Sequence, residues 1–204
     1  NSGIGGFPTE IGDNFISNNL GNYSAFNEID TDFQYNKVGH FFGNAGSGTQ
    51  NIISTGFNNN NIGNYFGDDG SNTSGGNVIN YEFYDNLIGN KFYGNQVDAE
   101  FFRNDIGNEF FTNTLSGGGG NIFHNNEIGN RFNNNNTAGT FYGNNIGGGF
   151  NNNSIGTDFY SNEVGFGFNN NSVGNNFCSN FISYYFYDNT IGSQFYNNRI
   201  TTDN

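Results

Sequence analysis

Apolar residues recur along this chain at a fixed interval of nine residues. Each unit reads Asn-x-Ile/Val-Gly-x-x-Phe-x-x, and the frame runs without a slip through the C-terminal part. There the aliphatic position holds Ile146, Ile155, Val164, Val173, Ile182, Ile191 and Ile200. The Asn two positions earlier and the Phe four positions later include Asn144, Asn153, Asn162, Asn171, Phe150, Phe159, Phe168 and Phe177. Such a period predicts a stack of small, identical structural units.

The same frame extends back towards the start of the chain, with three interruptions. Earlier aliphatic positions hold Ile11, Leu20, Ile29, Val38, Ile53, Ile62, Ile79, Ile88, Val97, Ile106, Leu115 and Ile128, and Thr137 is the one polar occupant. The interruptions at 43–50, 67–76 and 117–120 are rich in Gly, Ser and Asn, so we expect loops there. Residues 1–204 are therefore predicted to form a single repeat domain. The first two loops interrupt units of the same parity, so both should leave one edge of the stack as contact points for a partner.

The residues within each unit favour strands over helix. Frequent Gly, β-branched residues and abundant Asn all lower helix propensity. Counted from the aliphatic residue, positions −2, 0, +2 and +4 should share one inward side, because side chains alternate along a strand. The inward Asn should then form an amide ladder. The positions expected to face solvent carry the charges: Glu28, Lys37, Asp105, Glu127, Glu163 and Arg199 at −1, and Glu82, Lys91, Glu100, Glu109, Arg131 and Asp158 at +3.

A second periodicity indicates how many units complete one coil. The position after Phe holds Tyr142, Tyr160, Cys178 and Tyr196 at intervals of eighteen residues, whereas the interleaved series begins with Asn133, Asn151 and Asn169. Like residues at this interval are expected to stack vertically when two units make one coil. The sequence therefore predicts an all-β fold: a narrow, two-sided parallel β-solenoid with two nine-residue units per 18-residue coil and about ten coils.

Charge and composition argue against several classes of partner. The net charge is −13 with only five Lys and Arg residues, which disfavours binding to nucleic acid or to anionic membrane surfaces. No apolar run approaches the roughly 20 residues that a membrane-spanning helix needs. The single Cys178 is interpreted as a small residue filling one repeat position. Because the chain begins at Asn1 with neither Met nor a signal peptide, we expect a processed form or a fragment.

The period resembles that of the nonapeptide β-rolls of RTX proteins, in which two nine-residue units also complete one turn. The shared feature is the polar-x-aliphatic step, here Asn144-x-Ile146 and its copies. The chain departs from that family where calcium is concerned, because it has Asn in place of the ligand Asp and Phe with small polar residues in place of the paired turn glycines. Neutral amides lack the charge that such Ca²⁺ sites require. We therefore expect no metal and no cofactor.

Over nearly its whole length the chain resembles the Asn-x-Ile-Gly-x-x-Phe arrays of phage tail fibres and related surface appendages. The segment NNNSIGTDFYSNEVGFGFNNNSVGNNF at 151–177 carries this likeness. The resemblance implies an oligomeric fibre located outside the cell or on the virion surface. Such a fibre would bear or form a receptor-binding part, as an adhesin does.

Candidate catalytic chemistry is sparse. His40 and His124 lie far apart in the repeat frame and are interpreted as solvated surface residues. Glu82 and Glu100 should stack as neighbouring carboxylates, and Lys91 and Glu109 as an opposite pair. Two carboxylates could act on a sugar, but a solvated face is the simpler interpretation. No residue is assigned a catalytic role.

Aromatic side chains are the best candidates for ligand contact. The column Tyr142, Tyr160 and Tyr196, with Tyr84–Phe102 and Tyr93–Phe111 earlier in the chain, could stack against sugar rings. Alternatively, these rings cover the backbone or meet a second chain.

These observations leave three candidate functions. The first is a non-enzymatic structural protein that forms a rigid fibre shaft or a receptor-contacting part and self-associates, since 199–204 carries no obvious cap and predicts either stacking on another subunit or a longer parent chain. The second is a carbohydrate-binding module or glycan-active β-helix that uses the aromatic column to bind a cell-surface glycan or receptor. The third is an ice-binding solenoid, which the mixture of charges and aromatic residues in the outward positions disfavours.

Overall fold

The computed structural model of the chain describes residues 9–21, 23–24, 27–44, 51–68, 76–98, 100–116 and 122–201. All regular secondary structure in these ranges is short β-strand, paired in parallel, and they contain no helix. Paired strands generally lie 18 residues apart, as in Phe150 paired with Phe168. The predicted all-β parallel solenoid with two units per coil is therefore confirmed.

The strands form four sheets, which we label A to D in the order in which the chain passes through them. Sheet A contains Thr9–Ile11, Asn27–Ile29, Ile52–Ile53, Val78–Ile79, Gln96–Val97, Thr114–Leu115, Asn136–Thr137, Ser154–Ile155, Ser172–Val173 and Thr190–Ile191. Sheet B contains Phe33–Gln34, Phe57–Asn58, Phe83–Tyr84, Phe101–Phe102, Ile122–His124, Thr140–Tyr142, Asp158–Tyr160, Asn176–Cys178 and Gln194–Tyr196. Sheet C contains Asn19–Leu20, Lys37–Val38, Asn61–Ile62, Leu87–Ile88, Asp105–Ile106, Glu127–Ile128, Asn145–Ile146, Glu163–Val164, Phe181–Ile182 and Arg199–Ile200. Sheet D contains Tyr23–Ser24, Phe41–Asn44, Tyr65–Asp68, Lys91–Tyr93, Glu109–Phe111, Arg131–Asn133, Gly149–Asn151, Phe168–Asn169 and Phe186–Tyr187.

Each coil thus has four sides, and the expectation of two sides was wrong. Every nine-residue unit supplies one strand around its aliphatic residue (sheet A or C) and one around its Phe (sheet B or D). The chain turns a corner between them, so the inward alternation does not continue through position +2. Phe166 at this position is 54% exposed, which corrects the inward assignment made for it. The ten-strand sheets A and C agree with the predicted number of coils.

A second corner follows most Phe strands, where one residue adopts a left-handed backbone. Asn134, Asn152 and Asn170 have φ angles of 57°, 56° and 54°. Asn tolerates this region better than most residues, which accounts for its frequency here. Where Gly follows the aliphatic residue, it serves close packing instead: a Cβ on Gly147 would lie 2.1 Å from the carbonyl oxygen of Gly129 in the coil below.

The core consists of stacked copies of the aliphatic residues and of Phe. Ile146, Ile155, Val164, Val173, Phe150, Phe159, Phe168 and Phe177 all have 0–1% exposure. Phe rings stack within each of two columns, as in Phe132–Phe150 at 4.8 Å between centroids. Rings of opposite columns meet edge to face, as in Phe132–Phe141 at 5.1 Å and 72°. Both geometries are favoured by the aromatic quadrupole, so the two columns interlock along the axis.

The inward Asn residues form two amide ladders at opposite corners of the coil. One contains Asn36, Asn60, Asn86, Asn104, Asn126, Asn144, Asn162, Asn180 and Asn198, and the other Asn51, Asn77, Asn95, Asn113, Asn135, Asn153, Asn171 and Asn189. Asn153 Nδ2 donates to Asn171 Oδ1 at 3.1 Å and to the carbonyl oxygen of Phe132 at 2.8 Å. The side chain therefore satisfies both its neighbour and a corner carbonyl.

Three registers are wider than 18 residues. Asn36 pairs with Asn60 across 24 residues, Asn60 with Asn86 across 26, and Asn104 with Asn126 across 22. The extra residues enter at the three interruptions without shifting the stack. The predicted loops fall mainly on 45–50, 69–75 and 117–120, which lie outside the described residues. The strands before the first two, Phe41–Asn44 and Tyr65–Asp68, are neighbours in sheet D.

Candidate binding surfaces

The outward residues are sorted by face. Position −1 on sheet C holds five exposed charges, Lys37, Asp105, Glu127, Glu163 and Arg199, and the uncharged residues Asn19, Asn61, Leu87, Asn145 and Phe181. The same position on sheet A, over five successive strands, holds the exposed uncharged residues Thr114, Asn136, Ser154, Ser172 and Thr190. These five side chains make no hydrogen bond to any described residue. The mixture of charges and aromatic residues noted in the sequence therefore does not apply to this part of sheet A.

A continuous column of aromatic rings lies on the outer face of sheet B. Ring centroids are 4.9 Å apart for Tyr84–Phe102, 5.1 Å for Phe102–His124, 4.8 Å for His124–Tyr142 and 4.9 Å for Tyr142–Tyr160, with interplanar angles of 0–8°. We call these five residues the aromatic column. The equal distances and parallel ring planes follow from the strand register, because consecutive members of the column are paired residues of neighbouring strands.

His124 is a member of this column, which corrects its interpretation as a solvated surface residue. The ring is half-buried between Phe102 and Tyr142, and Asn125 Nδ2 lies 3.1 Å from Nδ1. Burial lowers the pKa of His124, because the charged imidazolium loses solvation there. The signal in the sequence was the 18-residue step to Tyr142, which the extra residues before His124 did not disturb.

Charged residues border one end of the aromatic column. Arg103 donates from Nε and Nη2 to the two Asp85 carboxylate oxygens, each at 2.7 Å, and its guanidinium lies 4.7 Å from the ring centroid of Phe102. Burial raises the pKa of Tyr84 and of Tyr160, so both phenols stay neutral and able to donate a hydrogen bond.

The structure separates the five tyrosines predicted to contact a ligand. Tyr84, Tyr142 and Tyr160 belong to the aromatic column, and Tyr196 continues its line beyond Cys178. A hydrogen bond to Cys178 raises the pKa of Tyr196. Tyr93 instead stacks on Phe111 at 4.1 Å on sheet D.

An open groove of about 990 Å³ runs along the outer face of sheet D, and sequence reasoning missed it. Its lining includes Asn130, Arg131, Gly148, Asn151, Phe166 and Tyr185. We call it the sheet D groove. The run Gly147-Gly148-Gly149 is the sequence signal that could have revealed it, since three glycines remove side chains from one coil.

The candidate catalytic pairs stay on the surface. Glu82 and Glu100 are exposed, each just before one of two paired strands of sheet B. Lys91 Nζ lies 3.2 Å from Glu109 Oε2, the opposite pair expected from the register. His40 contacts Asn64 and the ring of Tyr65. Within the described ranges, no group of three or more His, Cys, Asp or Glu side chains could hold a metal ion.

No helix in the described part of the chain is long and apolar enough to cross a membrane. Comparison with models of known protein families, with curated proteins and with solved structures finds no match to this chain. The candidate function therefore depends on the geometry of the faces.

Proposed function

We propose that the chain is a non-enzymatic structural protein that forms the rigid shaft or receptor-contacting part of an extracellular or virion appendage. The observation that carries this proposal is the unbroken vertical repetition of core and ladders. Each coil is held to the next by backbone pairing, by stacked Phe rings and by the buried Asn ladders. Rigidity along one axis is what a shaft requires.

Self-association into a homo-oligomer or fibre is part of this proposal. Parallel strands at a solenoid end offer backbone groups that a further coil can pair with. The resemblance to tail-fibre arrays in the sequence supports the same assembly. The outward charges on sheet C would limit side-by-side contact there and leave other faces available.

Electron microscopy of the purified chain, combined with analytical ultracentrifugation, tests this proposal. We expect thin rods whose length or mass increases with protein concentration. Particles that stay monomeric and round at every concentration would overturn it. Phe159→Asp provides a control, because a buried charge in the Phe column should abolish the rods, whereas Asp158→Asn on the surface should leave them intact.

Carbohydrate binding by the aromatic column is the second candidate function, and the row of five parallel, stacked rings on one outer face favours it. Sugar rings pack on aromatic side chains, and the hydroxyl groups of Tyr142 and Tyr160 can donate hydrogen bonds to sugar hydroxyl groups. Glycan-array binding that disappears in the Tyr142→Ala, Tyr160→Ala double variant would support it. Unchanged binding in that variant would reject this surface.

Ice binding is a third candidate, supported by the uncharged polar side chains of sheet A. They repeat at the spacing of parallel strands, about 4.8 Å, on a regular face. Thermal hysteresis that is lost in Ser154→Lys, but kept in Glu163→Lys on sheet C, would support this function. An absence of thermal hysteresis in the unmodified chain would reject it.

A further inference from the structure

The backbone itself enforces the open floor of the sheet D groove. A Cβ at position 148 would lie 1.6 Å from the carbonyl oxygen of Asn130, so only Gly fits this backbone. Gly149, the residue paired with Arg131 in the next strand of sheet D, also leaves the floor without a side chain. The floor of the groove therefore lacks side chains at Gly148 and Gly149, whereas the positions of sheet B equivalent to Gly149 carry Thr140 and Asp158.

A ladder of surface amides ends at this floor with a free acceptor. Asn90 donates to Asn64 at 2.7 Å, and Asn130 donates to Asn108 at 2.6 Å. The side-chain oxygens of Asn64 and Asn108 thus each accept a hydrogen bond from the coil above. The coil above Asn130 has Gly148 at this position. No described residue donates to Asn130 Oδ1, which leaves that oxygen available to a hydroxyl group of a ligand.

Aromatic rings border the same groove. Phe166 and Tyr185 are each 54% exposed and meet edge to face, with centroids 5.4 Å apart and planes at 78°. Tyr187, 51% exposed, also lines the groove. Three exposed aromatic side chains beside open amides form a surface that suits the apolar face and the hydroxyl edge of a sugar ring.

The groove is also locally basic in a strongly acidic chain. Its charged lining residues are Lys91, Glu109 and Arg131, two positive against one negative, whereas the whole chain carries −13. Arg131 Nη1 lies 3.5 Å from Glu109 Oε1. The Arg131 side chain is 65% exposed, and its guanidinium makes no hydrogen bond to a described residue. Arg103, by contrast, is held by two bonds to Asp85. The Arg131 guanidinium therefore keeps its donors for a carboxylate.

We propose that the sheet D groove binds an acidic sugar residue of a glycan. The sugar ring packs against Phe166 and Tyr185, a hydroxyl donates to Asn130 Oδ1, and the sugar carboxylate accepts from Arg131. This inference rests on the proposed receptor-contacting role and names its ligand class. It concerns a different face from the aromatic column.

Isothermal titration calorimetry with trigalacturonate, and with galactotriose as its uncharged counterpart, tests this site. We expect the unmodified chain to bind trigalacturonate at least about tenfold more tightly, because a hydrogen-bonded charge pair is worth at least that much. Arg131→Gln should remove this preference. Gly149→Thr, which places a natural sheet B residue type on the floor, should weaken binding of both sugars by about tenfold or more. Arg103→Gln is the matched control and should change neither affinity.

The inference would be overturned by no binding of either sugar, by equal affinity for both, or by unchanged affinities in Arg131→Gln and Phe166→Ala. Phe166→Ala lies on the surface and tests the site even if Gly149→Thr disturbs folding. Loss of binding in Tyr142→Ala alone would assign the glycan to the aromatic column and also refute the groove. Rods in the electron microscope without sugar binding would refute only this site, whereas a chain that forms no rods would refute the proposed shaft.

Discussion

A buried Asn within the two ladders donates to the equivalent Asn of one neighbouring coil and accepts from that of the other. These repeated hydrogen bonds offset the free-energy cost of burying the amide. Asn153 Oδ1 accepts from the backbone N–H and from Nδ2 of Asn135, at 2.9 and 3.2 Å, while its own amide serves Asn171 and Phe132. Replacing the Asn153 side chain would leave the backbone N–H of Asn135 and the carbonyl oxygen of Phe132 without these partners, whereas Asn171 Oδ1 would keep the backbone N–H of residue 153. A buried polar group without a hydrogen-bond partner lowers the free energy of unfolding, so the ladder stabilises the fold but does not tolerate substitution of a single Asn.

Asn153→Leu should therefore lower the free energy of unfolding by about 2 kcal/mol or more, since each of the two orphaned groups costs about 1–3 kcal/mol. Chemical denaturation measures this directly. The neighbouring exposed Ser154→Ala should change stability by no more than about 0.5 kcal/mol. Equal effects of the two substitutions would show that the ladder does not stabilise the fold.

Thr137 differs from the ladder Asn residues, because it is a buried polar residue that the amide ladders do not supply with a hydrogen-bond partner. It is fully buried between Leu115 and Ile155, and its Oγ1 has no hydrogen-bond partner among the described residues. Thr137→Val should raise the free energy of unfolding by about 1 kcal/mol or more, because it removes an unsatisfied hydroxyl at almost constant volume. The reverse change, Val164→Thr, should lower it. A Thr137→Val variant that melts earlier than the unmodified chain would contradict this account of the core.

At the scale of elements, the register of the short strands could be predicted from the sequence, but the corners between them could not. The register of Phe, Asn and aliphatic residues was readable because each unit repeats it. The corner between the aliphatic strand and the Phe strand was not, since Gly-x-x can continue a strand or turn, and Phe166 shows that position +2 faces outward. The sheet D groove was missed because glycines have no side-chain functional group that would mark a site in the sequence. Their missing side chains nevertheless leave the space between Arg131 and Tyr185 open.

The aromatic column is an element whose stability should depend on pH through His124. Its pKa is lowered in the folded state, so between about pH 6.5 and the folded value the unfolded chain binds a proton that the folded chain does not. Stability should therefore fall as the pH drops through this window. The effect should be absent in His124→Phe, which continues the stack. Melting temperatures of both chains from about pH 8 to about pH 5 measure it, and parallel curves would refute the burial of His124 in the column.

At the scale of the whole molecule, the repeat makes a narrow rod with four chemically different faces. Sheet C carries charge, sheet B the aromatic column, sheet A uncharged polar groups, and sheet D the groove. The inward positions of the nine-residue unit hold the same residue types throughout, so the stack is regular and rigid. The outward positions differ between the two units of a coil, so the faces differ in chemistry. This division supports a shaft that also presents a recognition surface.

Spin labels on paired cysteines test the central claim, that every second unit stacks on its like, in a Cys178→Ser background. Ser154 and Ser172 are 18 residues apart and paired in sheet A, whereas Ser154 and Glu163 are nine residues apart on sheets A and C. Electron paramagnetic resonance should show strong dipolar broadening for the 154/172 pair, whose strands lie about 5 Å apart. It should show much weaker broadening for the 154/163 pair on opposite faces. Stronger coupling in the 154/163 pair would contradict the stacked coil.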